Sequence, residues 1–204
     1  MLQSVRISRK AVRASIFFLS LIPFLVLARG VATGSLGPDP ADQAMHITGE
    51  WALRFFVLVL LATPLAKAGW PGLVRYRRML GLYVLFYATL HLLLFGQVYV
   101  AWSPSLLVEE LAERPYISVG SLAWIILVAL GISSAHFIRK KMGRSWRPFH
   151  RLTYLAAILA VLHLFWLSRS DVGEALAYGL LVGLLLIYRV GVNSKWALGV
   201  WSTS

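Results

Sequence analysis

The sequence predicts an all-helical integral membrane protein: a bundle of six transmembrane helices with both termini on the cytoplasmic side. Three observations predict it. The chain is 59% hydrophobic and only 14% charged, and its mean hydropathy is +0.73, too apolar for an ordinary soluble domain. Six apolar runs follow one another with short polar connections between them, so a single domain over 1–204 is expected. Basic residues crowd alternate connections: sixteen of the 20 Lys and Arg fall on one side, and all 8 acids on the other side or at its edge. Short basic loops stay in the cytoplasm. The net charge of +12 therefore reports orientation in a lipid bilayer, not nucleic-acid binding.

Each element has its own signal. Arg6, Arg9, Lys10 and Arg13 precede a first helix over 14–28, apolar but for Ser15 and Ser20 and holding Pro23. The charged start and Val26-Leu27-Ala28 also fit a cleavable signal. A retained helix is the expectation, its shortness offset by Arg13 and Arg29 snorkelling to the two interfaces. Residues 30–49, with several Gly, Pro and Asp, read as a loop. The second helix is 50–66, closed by Thr63-Pro64, and a loop with Lys67, Arg75, Arg77 and Arg78 leads to the third, 79–100. A loop with Glu109, Glu110, Glu113 and Arg114 precedes the fourth, 116–137.

The most basic connection follows, with Arg139, Lys140, Lys141, Arg144, Arg147 and Arg151. Its cations are topology signals that could also dock an anionic cytosolic flavoprotein or a flavin phosphate. Pro148 suits the first turn of the fifth helix, 148–168, where a missing N–H costs nothing. A turn with Arg169, Asp171 and Glu174 gives the sixth helix, 175–190, and the tail is assigned Arg189 and Lys195. Gly179 and Gly183 form a small-xxx-small pair, read as packing within the bundle ahead of a dimer face. Trp51, Trp102, Tyr116, Trp124, Trp146 and Trp166 suit interfacial belts.

The candidate chemistry lies in two histidines. His91 is 11 residues past Leu80 and His163 is 11 past Leu152, where their apolar runs begin. At roughly 1.5 Å per residue both lie about 17 Å into a hydrocarbon core of about 30 Å. Ionisable groups at that depth are rare and by default functional. The two helices run in the same direction, so equal distance from one edge means equal height. Two level imidazoles can grip a haem iron from opposite faces, as low-spin electron-transfer haems do. A zinc site would want a third ligand, and no carboxylate lies at that depth. With no cysteine in the chain, thiolate ligation, iron–sulfur clusters and covalent haem attachment are excluded, which leaves b-type haem.

Three further residues are candidates. His150, near the inner surface, could hold a second haem or support the first. It is 13 residues from His163, about 20 Å along an ideal helix but about 140° around it. The position that should oppose it is Arg77 or Arg78, with His136 as a substitute. Arg54 lies within the second helix, where it needs an anion: a haem propionate, Glu50 one turn away, or both. His46, ahead of the second helix, reads as an exposed or interfacial residue, with a proton or quinone contact as the lesser option.

At these residues a resemblance enters. The segments HITGEWAL (46–53), TPLAK (63–67), RYRRMLGLYVLFYATLH (75–91), RPY (114–116) and HRLTYLAAILAVLHLFW (150–166) resemble, in this order, the MsrQ family, also called YedZ. These are haem-binding membrane subunits of the bacterial periplasmic methionine sulfoxide reductase system. The resemblance implies a six-helix, ferric-reductase-like fold in the inner membrane. It implies b haem, with FMN described as well, and the family's haem-associated histidines map onto His91, His150 and His163. It implies electrons drawn from the quinone pool or a cytosolic flavin reductase and passed to a periplasmic molybdopterin partner, MsrP, so that the chain is an electron-transfer subunit and not the catalytic one. Two rivals stand beside it: a stand-alone transmembrane ferric or quinone reductase, and a non-redox assembly or transport subunit in which His91 and His163 are packing residues.

Overall fold

A computed structural model of the chain describes residues 8–168 and 172–197. Arg6, Arg169 and Asp171 lie outside the described residues, as does the side chain of Lys195. The described elements are helical: α1 (Arg9–Thr33), α2 (Pro40–Lys67), α3 (Gly72–Val98), α4 (Pro104–Glu113), α5 (Pro115–Ser133), α6 (His136–Met142), a 3-10 turn (Gly143–Ser145), α7 (Trp146–Phe149), α8 (Leu152–Leu167) and α9 (Gly173–Ala197). Five are long and apolar enough to cross a membrane. A sixth span arises if the pair His136–Phe149 and Leu152–Leu167, bent by 56°, counts as one.

The helices overrun the expected bounds because their caps lie outside the apolar runs. Of the loop expected over 30–49, only 34–39 remains outside helix. At one end Gly34 takes φ 64°, a left-handed stop that glycine tolerates. At the other, the Asp39 side chain accepts from the Asp42 N–H at 3.0 Å, with Pro40 in the first turn. Part of the loop expected before the fourth span is α4, opened by Pro104 and too short to cross a bilayer. Its Glu110 pairs with Arg114 at 3.0 Å, and its Leu111 carbonyl accepts from the Ser118 hydroxyl at 2.8 Å.

The fourth span stops at Ser133 instead of residue 137, and the fifth starts at Leu152 instead of 148. Pro148 therefore lies in short α7, before the bend. Two bonds hold that bend against the end of α5. The Trp146 indole N–H donates to the Ser133 carbonyl at 3.0 Å, and His150 Nε2 lies 3.0 Å from the Ser133 hydroxyl.

α2 packs chiefly on α3, and α5 on α8, with α9 closing against α8 and α2. Between them lies a core in which Leu60, Tyr87 and Ala156 are wholly buried. Phe55 stacks on both Tyr83 and Tyr87, at 5.4 and 5.5 Å between ring centres.

Two intrahelical prolines are mended by side chains from other helices. Pro23 has no N–H for the Leu19 carbonyl, and its ring opens the ladder around it. The Tyr87 hydroxyl enters the gap, accepting from the Phe24 N–H at 3.2 Å and donating to the Ser20 carbonyl at 2.7 Å. One hydroxyl thus contacts both members of the i, i−4 pair Ser20 and Phe24 and docks α1 on α3. Tyr83 adds a bond to the Phe17 carbonyl at 2.7 Å. Pro64 frees the Leu60 carbonyl of α2 in the same way. Arg189 fills that need, donating to the Leu60 carbonyl at 3.0 Å, the Thr63 hydroxyl at 2.9 Å and the Tyr154 hydroxyl at 2.6 Å. Arg189 was expected in a tail; it is a buried residue of α9.

Tyr87→Phe removes the hydroxyl that serves the Ser20 carbonyl and the Phe24 N–H. Each unsatisfied buried group costs about 1–3 kcal/mol. The variant is expected to melt at a clearly lower temperature in detergent, with its helical circular dichroism intact at the start of the scan. An unchanged melting curve counts against the bridge.

Candidate functional site

The site is built by the two helix pairs, α2 with α3 and α5 with α8. His91 from α3 and His163 from α8 face each other across a cavity of about 300 Å3. Their ring centres are 6.2 Å apart and the ring planes cross at 88°. The cavity wall is mostly apolar, with Leu53, Phe56, Val84 and Leu127 among its residues, and Asp42, His46, Glu50, Arg114 and Glu174 also line it.

Each ring is anchored in the same way. His91 Nδ1 lies 3.0 Å from the Met45 carbonyl of α2, and His163 Nδ1 lies 2.7 Å from the Tyr116 carbonyl of α5. A carbonyl can only accept, so each Nδ1 carries the proton and donates. That fixes the tautomer and leaves each Nε2 lone pair for a ligand in the cavity.

Both anchors depend on a glycine four residues further along the carbonyl's own helix. Gly49 follows Met45 on α2, and Gly120 follows Tyr116 on α5. A helical carbonyl points toward residue i+4, so a side chain there would stand between ring and carbonyl. A Cβ on Gly49 would lie 3.3 Å from His91 Nδ1, and one on Gly120 only 2.7 Å from His163 Nδ1. The two halves of the cavity thus repeat one device: a carbonyl, a glycine one turn on, and an imidazole from the neighbouring helix.

The pair fits a metal held between two imidazoles. A metal–imidazole nitrogen bond is about 2 Å. Two of them, plus roughly 1 Å from each nitrogen to its ring centre, separate the rings by about 6 Å, which is the separation seen. The mostly apolar cavity suits a flat hydrophobic cofactor with a few polar groups at its rim.

The other candidates are placed differently. Arg54 is not among the residues lining the cavity. Its guanidinium pairs with Glu50 at 2.8 Å and lies 4.8 Å from the centre of the Trp51 ring. The cation at the cavity mouth is Arg114. Tyr116 beside it, and then Glu110, hold its pKa above the ordinary value, so it is a permanent positive charge there. His150 lies at the bend before α8, with Nε2 against Ser133 and its ring 4.0 Å from the Trp146 ring. Among the described residues no hydrogen bond or ring contact joins it to His136, the first residue of α6. His46 lies on α2, one turn before Glu50, and is exposed.

Sequence reasoning missed Gly49, Gly120 and the two carbonyl acceptors. The signal for Gly49 was present in HITGEWAL, where a glycine interrupts an otherwise helical stretch. Nothing local marks a carbonyl as an acceptor for a side chain tens of residues away.

A helical membrane bundle with two imidazoles presented to one apolar cavity defines a transmembrane protein of the ferric reductase type. Residues 48–161 match the family described as ferric reductase like transmembrane component. Within that class the chain belongs to the MsrQ family. It is 42% identical over 157 residues, covering 76% of this chain and 72% of the relative, to the protein-methionine-sulfoxide reductase heme-binding subunit MsrQ of Xanthomonas campestris pv. campestris (strain B100).

Proposed function

We propose that the chain is a b-haem electron carrier of the bacterial inner membrane, with six spans and both termini in the cytoplasm. It takes electrons from the quinone pool or a cytosolic flavin reductase and passes them to a periplasmic molybdopterin methionine sulfoxide reductase, MsrP, for repair of oxidised periplasmic proteins. The observation that carries this reading is the imidazole pair, 6.2 Å apart with each Nδ1 tied to a carbonyl.

The residues divide the work. His91 and His163 would hold the haem through Nε2, and the Met45 and Tyr116 carbonyls hold their rings in place. Haem held there supplies one-electron chemistry between ferric and ferrous iron. With both imidazoles engaged, the group would serve electron transfer rather than oxygen binding. Leu53, Phe56, Val84 and Leu127 keep water from the cavity. Arg114, at the mouth, is the cation for a propionate; Arg54 can take that role only by leaving Glu50. His150 has a supporting role, since a second haem there would first have to break the Ser133 contact. The exposed cations Arg139, Lys140, Lys141, Arg144, Arg147 and Arg151 form the docking face for an anionic flavoprotein or for the phosphate of FMN. The acidic end of the bundle receives the periplasmic acceptor.

Purified protein reduced under anaerobic conditions is expected to show a ferrous b-type spectrum, and to be reoxidised on adding oxidised MsrP. Reoxidation by ferric chelates alone, with no response to MsrP, replaces this reading with the stand-alone reductase. A colourless protein from cells supplied with haem leaves the non-redox subunit. A redox titration is expected to give one potential at one haem per chain; a second wave of equal size would return His150 to ligand status.

A further inference from the structure

At the acidic rim of the cavity a second constellation converges, separate from the imidazole pair. His46 and Glu50 are i and i+4 on α2 and so share a face. Glu174 enters from the first turn of α9, more than a hundred residues away in the chain. One donor atom from each, an imidazole nitrogen and two carboxylate oxygens, lies within 4.8 Å of both others. We propose that His46, Glu50 and Glu174 form a binding site for a divalent transition-metal ion of the zinc class on the outer rim of the cavity.

The donor chemistry supports it. One imidazole and two carboxylates are borderline and hard ligands of the kind zinc takes, and three protein ligands leave a fourth tetrahedral position for water. Bonds of about 2 Å bring donors about 3.5 Å apart, so a modest closure of the exposed His46 and the half-buried Glu50 and Glu174 suffices. Two carboxylates brought together at a cavity rim repel unless a cation or a shared proton lies between them. Arg54 is the cation now present, 2.8 Å from Glu50 Oε1. It is not committed to that place: its guanidinium also lies over the Trp51 ring, 4.8 Å from the centre, and cation–π contact there keeps it favourably placed when Glu50 turns to a metal. Glu174 has no arginine in an ion pair among the described residues.

A metal at this point joins α2 to α9 across the rim of the cavity. The site depends only on rim residues and stands whether or not the imidazole pair holds haem.

The test uses the full-length purified protein in detergent, near neutral pH, with zinc chloride as the probe. Equilibrium dialysis with metal analysis is expected to give one tightly held zinc per chain. His46→Ala and Glu174→Gln are each expected to weaken it about ten-fold or more, while Glu109→Gln, an exposed acid on α4, leaves it unchanged. Zinc is expected to raise the melting temperature of the wild type and of Glu109→Gln but of neither rim variant, because a ligand that binds only the folded state stabilises it. Far-UV circular dichroism and a single monodisperse peak on size exclusion, each compared with wild type, check that a variant has folded. Absence of stoichiometric zinc in the wild type overturns the proposal, and so does wild-type affinity in either rim variant that has folded. If a rim variant does not fold, His46→Gln or Glu174→Ala takes its place under the same criterion.

Discussion

Replacing His163 with alanine is expected to abolish the low-spin b-type spectrum of the purified protein, and His91→Ala is expected to do the same. On the proposed ligation each substitution removes one of two axial nitrogens. With one imidazole gone, haem would be held at least ten-fold more weakly, or not retained. The cavity left by an imidazole is open to a free one, so millimolar imidazole is expected to restore much of the low-spin spectrum in both variants. That rescue separates loss of a ligand from loss of fold. His150→Ala, by contrast, is expected to keep the spectrum and lose some stability, since its nitrogen contacts Ser133 and its ring packs on Trp146. Unchanged spectra in both His91→Ala and His163→Ala would refute the assignment.

The second large effect belongs to a residue with no side chain. Gly120→Ala is expected to reduce haem affinity by about 10–100-fold, the usual cost of disturbing the group that orients a metal-binding histidine. The added Cβ would lie 2.7 Å from His163 Nδ1 and 2.9 Å from Cε1, closer than real carbon contacts come. The ring must swing away and lose its bond to the Tyr116 carbonyl, so Nε2 is no longer held toward the cavity. Gly49→Ala is the graded control. Its Cβ would come no nearer than 3.3 Å to the His91 ring, which a shift of a few tenths of an ångström relieves, so its effect is expected to be several-fold smaller. Haem titration of both variants, with the low-spin absorption as readout, checks the order. Equal effects, or none, would show that the carbonyl anchors do not govern the rings.

The same contrast shows how far the chain could be read before it was folded. Depth in an apolar run is a local property: Leu80 to His91 and Leu152 to His163 could be counted, and the structure brings those two rings to 6.2 Å between centres, with their planes crossing at 88°. The partner of Arg54 was narrowed locally to Glu50 or an anion from outside, because i, i−4 neighbours are visible in sequence. Helix ends were less legible. The caps at Asp39 and Gly34 lie in segments whose Pro, Gly and Asp content resembles a loop. The break before α8 depends on Ser133, which lies on another helix.

From sequence alone come the membrane-bundle class, the sorting of acids from bases between its two ends, and the two histidines at one depth. Each follows from hydrophobic partition or charge placement acting along a single stretch of chain. Only the tertiary structure decided which nitrogen of each imidazole is tied to a carbonyl, that Gly120 and Gly49 make room for that bond, and that Arg114 lines the cavity while Arg54 does not. It also decided that Tyr87 and Arg189 repair the prolines of helices other than their own. Those outcomes turn on contacts between residues 35 to more than 120 positions apart, where a backbone carbonyl or a missing Cβ is the partner, and no periodicity or composition within one segment can carry that information.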